Sequence, residues 1–153
     1  MATTTQNFGT SAAATITIAS LANAGGRAST AIDNSTTKCT SADIFVKIKT
    51  NATTGTSATG YVDVYLIRSE DGTTYDDAFA GSDAGYTPIN ATKIGIISVS
   101  ANNTTYQAVF NTAMFGELPR KFCVGLVNNT GATLSATAGD HAVTVTLKKF
   151  DLT

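Results

Sequence analysis

Tryptophan is absent from this chain, histidine occurs once, and proline and cysteine occur twice each. Each scarcity removes a class of chemistry. Sugar clefts are normally lined by aromatic rings, so the missing indole counts against glycan cleavage and, more mildly, glycan binding. The single histidine, His141 in Gly139-Asp140-His141, has no Gly-x-Ser-x-Gly elbow or other nucleophile context to serve. Phosphate-cradling glycine loops and HExxH are also missing. The chain therefore reads as a non-enzyme that needs no cofactor.

Cys39 and Cys123 form no CxxC pair, which removes a cysteine-based zinc site, and Cys123 lies in the apolar run Phe122-Cys123-Val124. Both are expected as reduced thiols. Charged residues make up only 14%, against about 25% in ordinary soluble chains. With a formal net charge of -1, there is no basic footprint for nucleic acid or an anionic membrane. No apolar run approaches the ~18 residues of a transmembrane helix. The start, Met1 to Asn7, has neither a basic nor an apolar signal region, so synthesis in the cytoplasm is expected.

What fills the chain is Thr, Ser, Asn, Ala and Gly. Threonine suits a pleated surface, while Asn, Ser and Gly suit turns, so the composition points to strands joined by loops. At 153 residues the chain has the size of one domain, able to bury roughly 70% of its unfolded surface. Period-two alternation marks strands at 14–20, 43–49, 60–69, 93–99, 105–110, 120–128 and 142–150, with a short edge strand at 29–32. Asn102-Asn103 is read as a hairpin turn, 50–59 as a hairpin connection, and 111–117 as the one helical turn. The fold expected is an all-β, two-sheet antiparallel sandwich over 14–153, of jelly-roll or immunoglobulin-like topology. Residues 1–13, small and polar, are expected to form a flexible arm.

Three features carry functional weight. Glu70, Asp71, Asp76, Asp77 and Asp83 fall within one short span, and hard cations take several oxygen ligands from a flexible loop. Asp71, Asp76 and Asp77 are the candidate metal ligands, although the spacing is not that of an EF-hand and a solvated loop is the plainer reading. Along 60–69, Val62, Val64 and Leu66 point inward, leaving Tyr61, Asp63 and Tyr65 outward. Phe8 in the arm, Tyr61 and Tyr65 are candidate contact residues, since tyrosine offers contact area at low entropy cost. Asn-X-Ser/Thr triplets begin at Asn34, Asn51, Asn90, Asn102, Asn103 and Asn128, which an Asn- and Thr-rich sequence produces by chance.

The stretch Ile18 to Asn34, the segment Tyr65-Leu66-Ile67-Arg68-Ser69-Glu70-Asp71-Gly72-Thr73-Thr74-Tyr75, the run Phe115 to Phe122 and Asn128-Asn129-Thr130-Gly131 resemble a family of small tailed-phage virion proteins. These are head decoration, or cement, proteins. The resemblance spans most of residues 15 to 150 and rests on turn and strand signatures. It implies a β-sandwich that binds an HK97-type major capsid protein across capsomers as a homodimer or homotrimer, on the capsid surface of the virion. Two other readings stand beside it: a tail or neck component, and a carbohydrate-binding sandwich for host attachment.

Overall fold

The computed structural model describes residues 3–51, 53 and 55–152. Their strands are β1 (Thr4–Phe8), β2 (Ala12–Ala13), β3 (Gly26–Ala28), β4 (Ile32–Asp33), β5 (Ser41–Lys49), β6 (Gly60–Ser69), β7 (Ala84–Gly85), β8 (Thr92–Val99), β9 (Thr105–Asn111), β10 (Lys121–Asn129) and β11 (Ala142–Leu152). One sheet runs β1-β11-β5-β9, with β2 also on β11; the other runs β7-β3-β10-β6-β8, with β4 also on β10. Every pairing is antiparallel.

This order settles the topology. Take β1–β2 and β3–β4 each as one interrupted strand and set aside the two-residue β7. The remaining strands pair first with last, second with second-last, and so on inward: β1/β2 with β11, β3/β4 with β10, β5 with β9, β6 with β8. A long antiparallel hairpin wound around a core gives this nesting, which is the jelly roll. The immunoglobulin-like alternative is set aside.

The alternation seen in the sequence places the core. On β5, Ile44, Val46 and Ile48 are fully buried and face Val62, Val64 and Leu66 of β6 and Val124 and Leu126 of β10 in one cluster. Phe122 is also fully buried there, a burial that stabilises the fold by roughly 1.5–3 kcal/mol. On β8 the register slips between Val64 and Tyr65, so Ile94 is an extra residue and both it and Gly95 face inward. A Cβ on Gly95 would overlap the Phe110 ring of the facing sheet, so a side chain there would force that ring to move.

Several local expectations are corrected. Residues 14–18 keep the predicted alternation, with Ile18 buried, but form no strand. The segment crosses between sheets: Ala14 N–H bonds to Val143 O in the first, while Thr15 O accepts from Thr30 N–H beside the second. The segments 50–59 and 100–104 are not hairpin loops either, since β5 and β9 lie in one sheet and β6 and β8 in the other. The predicted edge strand at 29–32 is interrupted: Ser29 N–H still donates to Val124 O, but the Ser29 hydroxyl in place of a backbone carbonyl accepts Val124 N–H at 3.0 Å. The predicted helical turn is a 3-10 turn, Thr112–Phe115, whose first turn is capped by Asn111 accepting Ala113 N–H at 2.9 Å.

Residues 3–13, expected as part of an arm, run along β11. Phe8 stands opposite Lys148 and Ala12 opposite Val145, so one extra residue is accommodated between β1 and β2 as a bulge.

Candidate interaction surface

The acidic loop uses its carboxylates on its own backbone. Asp71 accepts Thr73 N–H, Thr74 N–H and the Thr74 hydroxyl at 2.7–2.8 Å, and these bonds hold it far below the usual carboxylate range. Asp76 accepts Arg68 N–H at 3.0 Å. Asp77 accepts Asn90 N–H at 2.6 Å and the Tyr86 hydroxyl at 2.8 Å. The three candidate ligands thus point to three different tasks, and among the described residues no group of three acidic, histidine or cysteine side chains converges on a common point.

What those bonds build is a flap. Residues 70–91 fold back over the outer face of the second sheet, with β7 pairing on β3 and Tyr86 N–H bonding Gly26 O. Beneath it Ala28, Ile67, Tyr75, Tyr86 and Cys123 form a second apolar cluster. Gly125 makes room for Tyr86, since a Cβ there would sit 2.7 Å from its ring. Burial pushes the Cys123 thiol up to about 12, and both Cys39 and Cys123 are free and buried.

The flap covers one of the two outward tyrosines of β6. Tyr65 packs edge-on against Tyr86 at 6.0 Å between centroids and belongs to the covered cluster. Asp63, expected outward, is 6% exposed and paired with Lys93. Tyr61 alone remains on open surface, 37% exposed, with Lys93 Nζ 5.7 Å above its ring.

His141 is equally committed. Its Nδ1 accepts Lys49 N–H at 3.4 Å, so Nε2 carries the proton toward Ser135 O at 2.9 Å. The Ser135 hydroxyl donates to Asp140 at 2.6 Å rather than to the imidazole. Serine, histidine and aspartate are neighbours here without the serine-to-histidine bond of a nucleophilic triad.

A different surface stands out at one pole of the sandwich. The starts of β5, β8 and β10, the ends of β4, β6, β9 and β11, and the start of β1 all lie there. Of the exposed large apolar residues, Met114 (87%), Ile89 (82%), Phe8 (62%) and Phe150 (58%) belong to strands or loops at this end, while Val109 (61%) stands opposite Phe45, midway along β5. Their scaffold is firmly tied. Asn34, buried, donates to Cys39 O and Pro119 O and accepts from Cys39 N–H and the Thr37 hydroxyl. Arg68 donates to Phe115 O at 3.3 Å and Glu117 O at 2.6 Å, fixing the turn that carries Met114. Asp43 joins Lys148 Nζ at 2.5 Å and Asn111 at 2.8 Å, and Lys148 Nζ stands 5.1 Å from the centroid of the Phe8 ring. Rigid supports beneath protruding apolar tips are the make-up of a docking surface.

Phe8, a contact candidate from the sequence, is exposed; Phe150, Met114, Ile89 and Val109 are exposed residues outside that candidate set. A signal existed for two of them. Phe150 shares its parity with Thr144, Thr146 and Lys148, and Val109 with Thr105 and Gln107, all outward residues.

No protein-family model matches the chain, and no curated protein matches it. Among solved structures it is similar to the CBM22-1 xylan-binding domain of Paenibacillus barcinonensis Xyn10C, at 9% identity and TM-score 0.40 over 94% of each chain. It is also similar to the CBM22-1 and GH10 modules of Clostridium thermocellum endo-1,4-β-D-xylanase 10B complexed with xylohexaose, at 14% identity and TM-score 0.39 over 76% of this chain. This chain spans 17% of the length of that xylanase chain. Likenesses at this distance carry no functional argument.

Proposed function

We propose that the chain is a non-catalytic structural protein of a tailed-phage virion, a decoration protein that attaches to the major capsid protein through the pole carrying Phe8, Met114 and Phe150. The observation that carries this reading is the gathering of exposed apolar side chains on a hydrogen-bonded scaffold at one end of a stiff sandwich. The decoration-protein resemblance of the sequence supports the choice of partner. The commitment of Asp71, Asp77 and His141 to internal bonds supports the non-enzymatic part.

The test is rebinding to undecorated heads of the phage that encodes the protein, with occupancy read by cryo-electron microscopy. The wild type is expected to fill defined capsomer sites. Met114→Asp and Phe8→Asp are expected to lower occupancy by about tenfold, the effect of losing about 1.4 kcal/mol, with unchanged melting curves. Full occupancy by both variants, or density only at the tail or neck, would sink the reading.

A glycan-binding reading is favoured by one observation, the open Tyr61 ring with Asp63, Lys93 and Asn129 beside it. Binding on a glycan array that is lost in Tyr61→Ala would support it. A blank array removes it.

A further inference from the structure

The ends of β1 and β11 extend past the body of the first sheet. On β11, β5 pairs only as far as Lys148, opposite Ser41, whereas β1 continues to Leu152, opposite Thr4. Residues 4–7 and 149–152 therefore form a two-stranded ribbon with no third strand among the described residues, and a lone two-stranded ribbon is marginally stable in water. Along β11 the backbone groups alternate in direction. Leu147 O accepts from Gly9 N–H on the β1 side, and Lys148 O accepts from Thr40 N–H on the β5 side. By that alternation the N–H and C=O of Phe150 face the β5 side, beyond the point where β5 ends. An open strand edge of this kind is a template for another strand.

We propose that this edge is completed by a second copy of the same chain, β11 against β11 in antiparallel register about a two-fold axis at Phe150. Three features of the ribbon fit that occupant. The register puts Phe150 opposite Phe150 of the second copy as a hydrogen-bonded pair that satisfies the open backbone groups of both. It puts Lys149 opposite the second copy's Asp151, and Asp151 opposite its Lys149, so the segment Lys149-Phe150-Asp151 is charge-complementary to itself. A two-fold axis perpendicular to the sheet keeps like faces together, which lines up Phe8 and Phe150 of both copies as one apolar stripe. Within one chain Lys149 already reaches Asp151 at 3.2 Å, so pairing extends an existing ion pair into a network of four charges. The strand addition is short, and the expected dimer is reversible and concentration-dependent.

The proposal concerns the isolated protein and stands apart from the capsid reading. Sedimentation equilibrium from micromolar to near-millimolar concentration is expected to show a monomer–dimer equilibrium. Lys149→Asp and Asp151→Lys, each placing like charges opposite one another, are expected to weaken it by about tenfold, and the double variant to restore it. In the proposed register the two Phe150 Cα atoms are about 5.5 Å apart, inside the range a disulfide spans. Phe150→Cys is therefore expected to form a covalent dimer under mild oxidation, and Gln107→Cys, exposed on β9, to remain monomeric. A monomer at every concentration, single reversals without effect, a double variant no better than the singles, or equal cross-linking at 107 would each overturn the proposal.

Discussion

Two asparagines hold loops at opposite ends of the sandwich by filling their hydrogen-bonding capacity. Asn34 bonds to Cys39, Pro119 and Thr37, while Asn128 donates to Leu21 O and Ala132 O and accepts Thr130 N–H. Both begin Asn-X-Ser/Thr triplets, yet both side-chain amides are buried and occupied, which leaves no room for a glycan. Replacing either by Ala leaves several buried backbone groups unpaired, so Asn34→Ala and Asn128→Ala are each expected to cost about 2–3 kcal/mol in urea unfolding. Losses near zero would show that water replaces the amide. The acidic residues set the pH response. Burial works to raise Asp77 and Asp83, but bonds from Asn90 and Tyr86 to the first, and from Arg27 and Thr17 to the second, hold both below the usual value of 3.8. A carboxylate lowered in the folded state stabilises above its unfolded pKa, and that stability is lost as pH falls through the folded pKa. The urea midpoint is therefore expected to be level from pH 7 to about 5 and to fall below about 4, with a shallower fall in Asp77→Asn.

At the scale of elements, the first thirteen residues divide into two parts. β1 is exposed along its length and touches the tail of β11, whereas Ala12, Ala13 and Ala14 line β11 where it also pairs with β5. The ladder bonds of fully exposed β1 exchange readily with water, so deleting residues 1–8 is expected to cost about 1 kcal/mol, and deleting 1–13, which also removes β2, about 3 kcal/mol. Equal costs, measured by chemical denaturation, would place the stabilising contacts in β1 instead. The sequence made β5, β6, β9 and β11 readable through alternation, and β8 and β10 through apolar runs bounded by turn residues. It did not reveal which sheet each strand joins, since alternation reports a face and not a neighbour. Hence Asn102-Asn103 looked like a hairpin turn when it links two sheets. Pairing of β1 was hidden because Thr4 to Phe8 has no apolar alternation: both faces are exposed, and backbone bonds, the Asn7–Asp151 hydrogen bond and the Lys148–Phe8 contact hold the strand. The covered tyrosine was hidden for another reason, because Tyr65 reads as outward on β6 whether or not a loop lies over it. The flap depends on Asp77 and Gly125, residues ordinary in a loop and a strand until Tyr86 is seen between them.

The whole molecule is a nested winding, and its outermost pair joins the two ends of the chain, with Thr4 opposite Leu152. Pairings that close such long loops delay folding, since chain entropy is lost before the contacts repay it. The one connection that returns to its own sheet is the flap segment between β6 and β8, so the inner pairs form across shorter loops than the outer ones. Joining the ends by a short Gly-Ser linker and opening the chain between Asn102 and Asn103, an exposed turn, rearranges this order without altering any pairing. β11 and β1 become a local hairpin, β10 with β3 nests around it, and β9 with β5 around that, while β6 with β8 stays local. The permuted chain has shorter average loops and is expected to keep the jelly roll, melt within a few degrees of the parent and refold faster in stopped-flow dilution from urea. Refolding slower than the parent, with the fold intact, would mean that the limiting step is the crossing between sheets at β8 and β9, which the new ends disconnect, and not closure of the outermost pair.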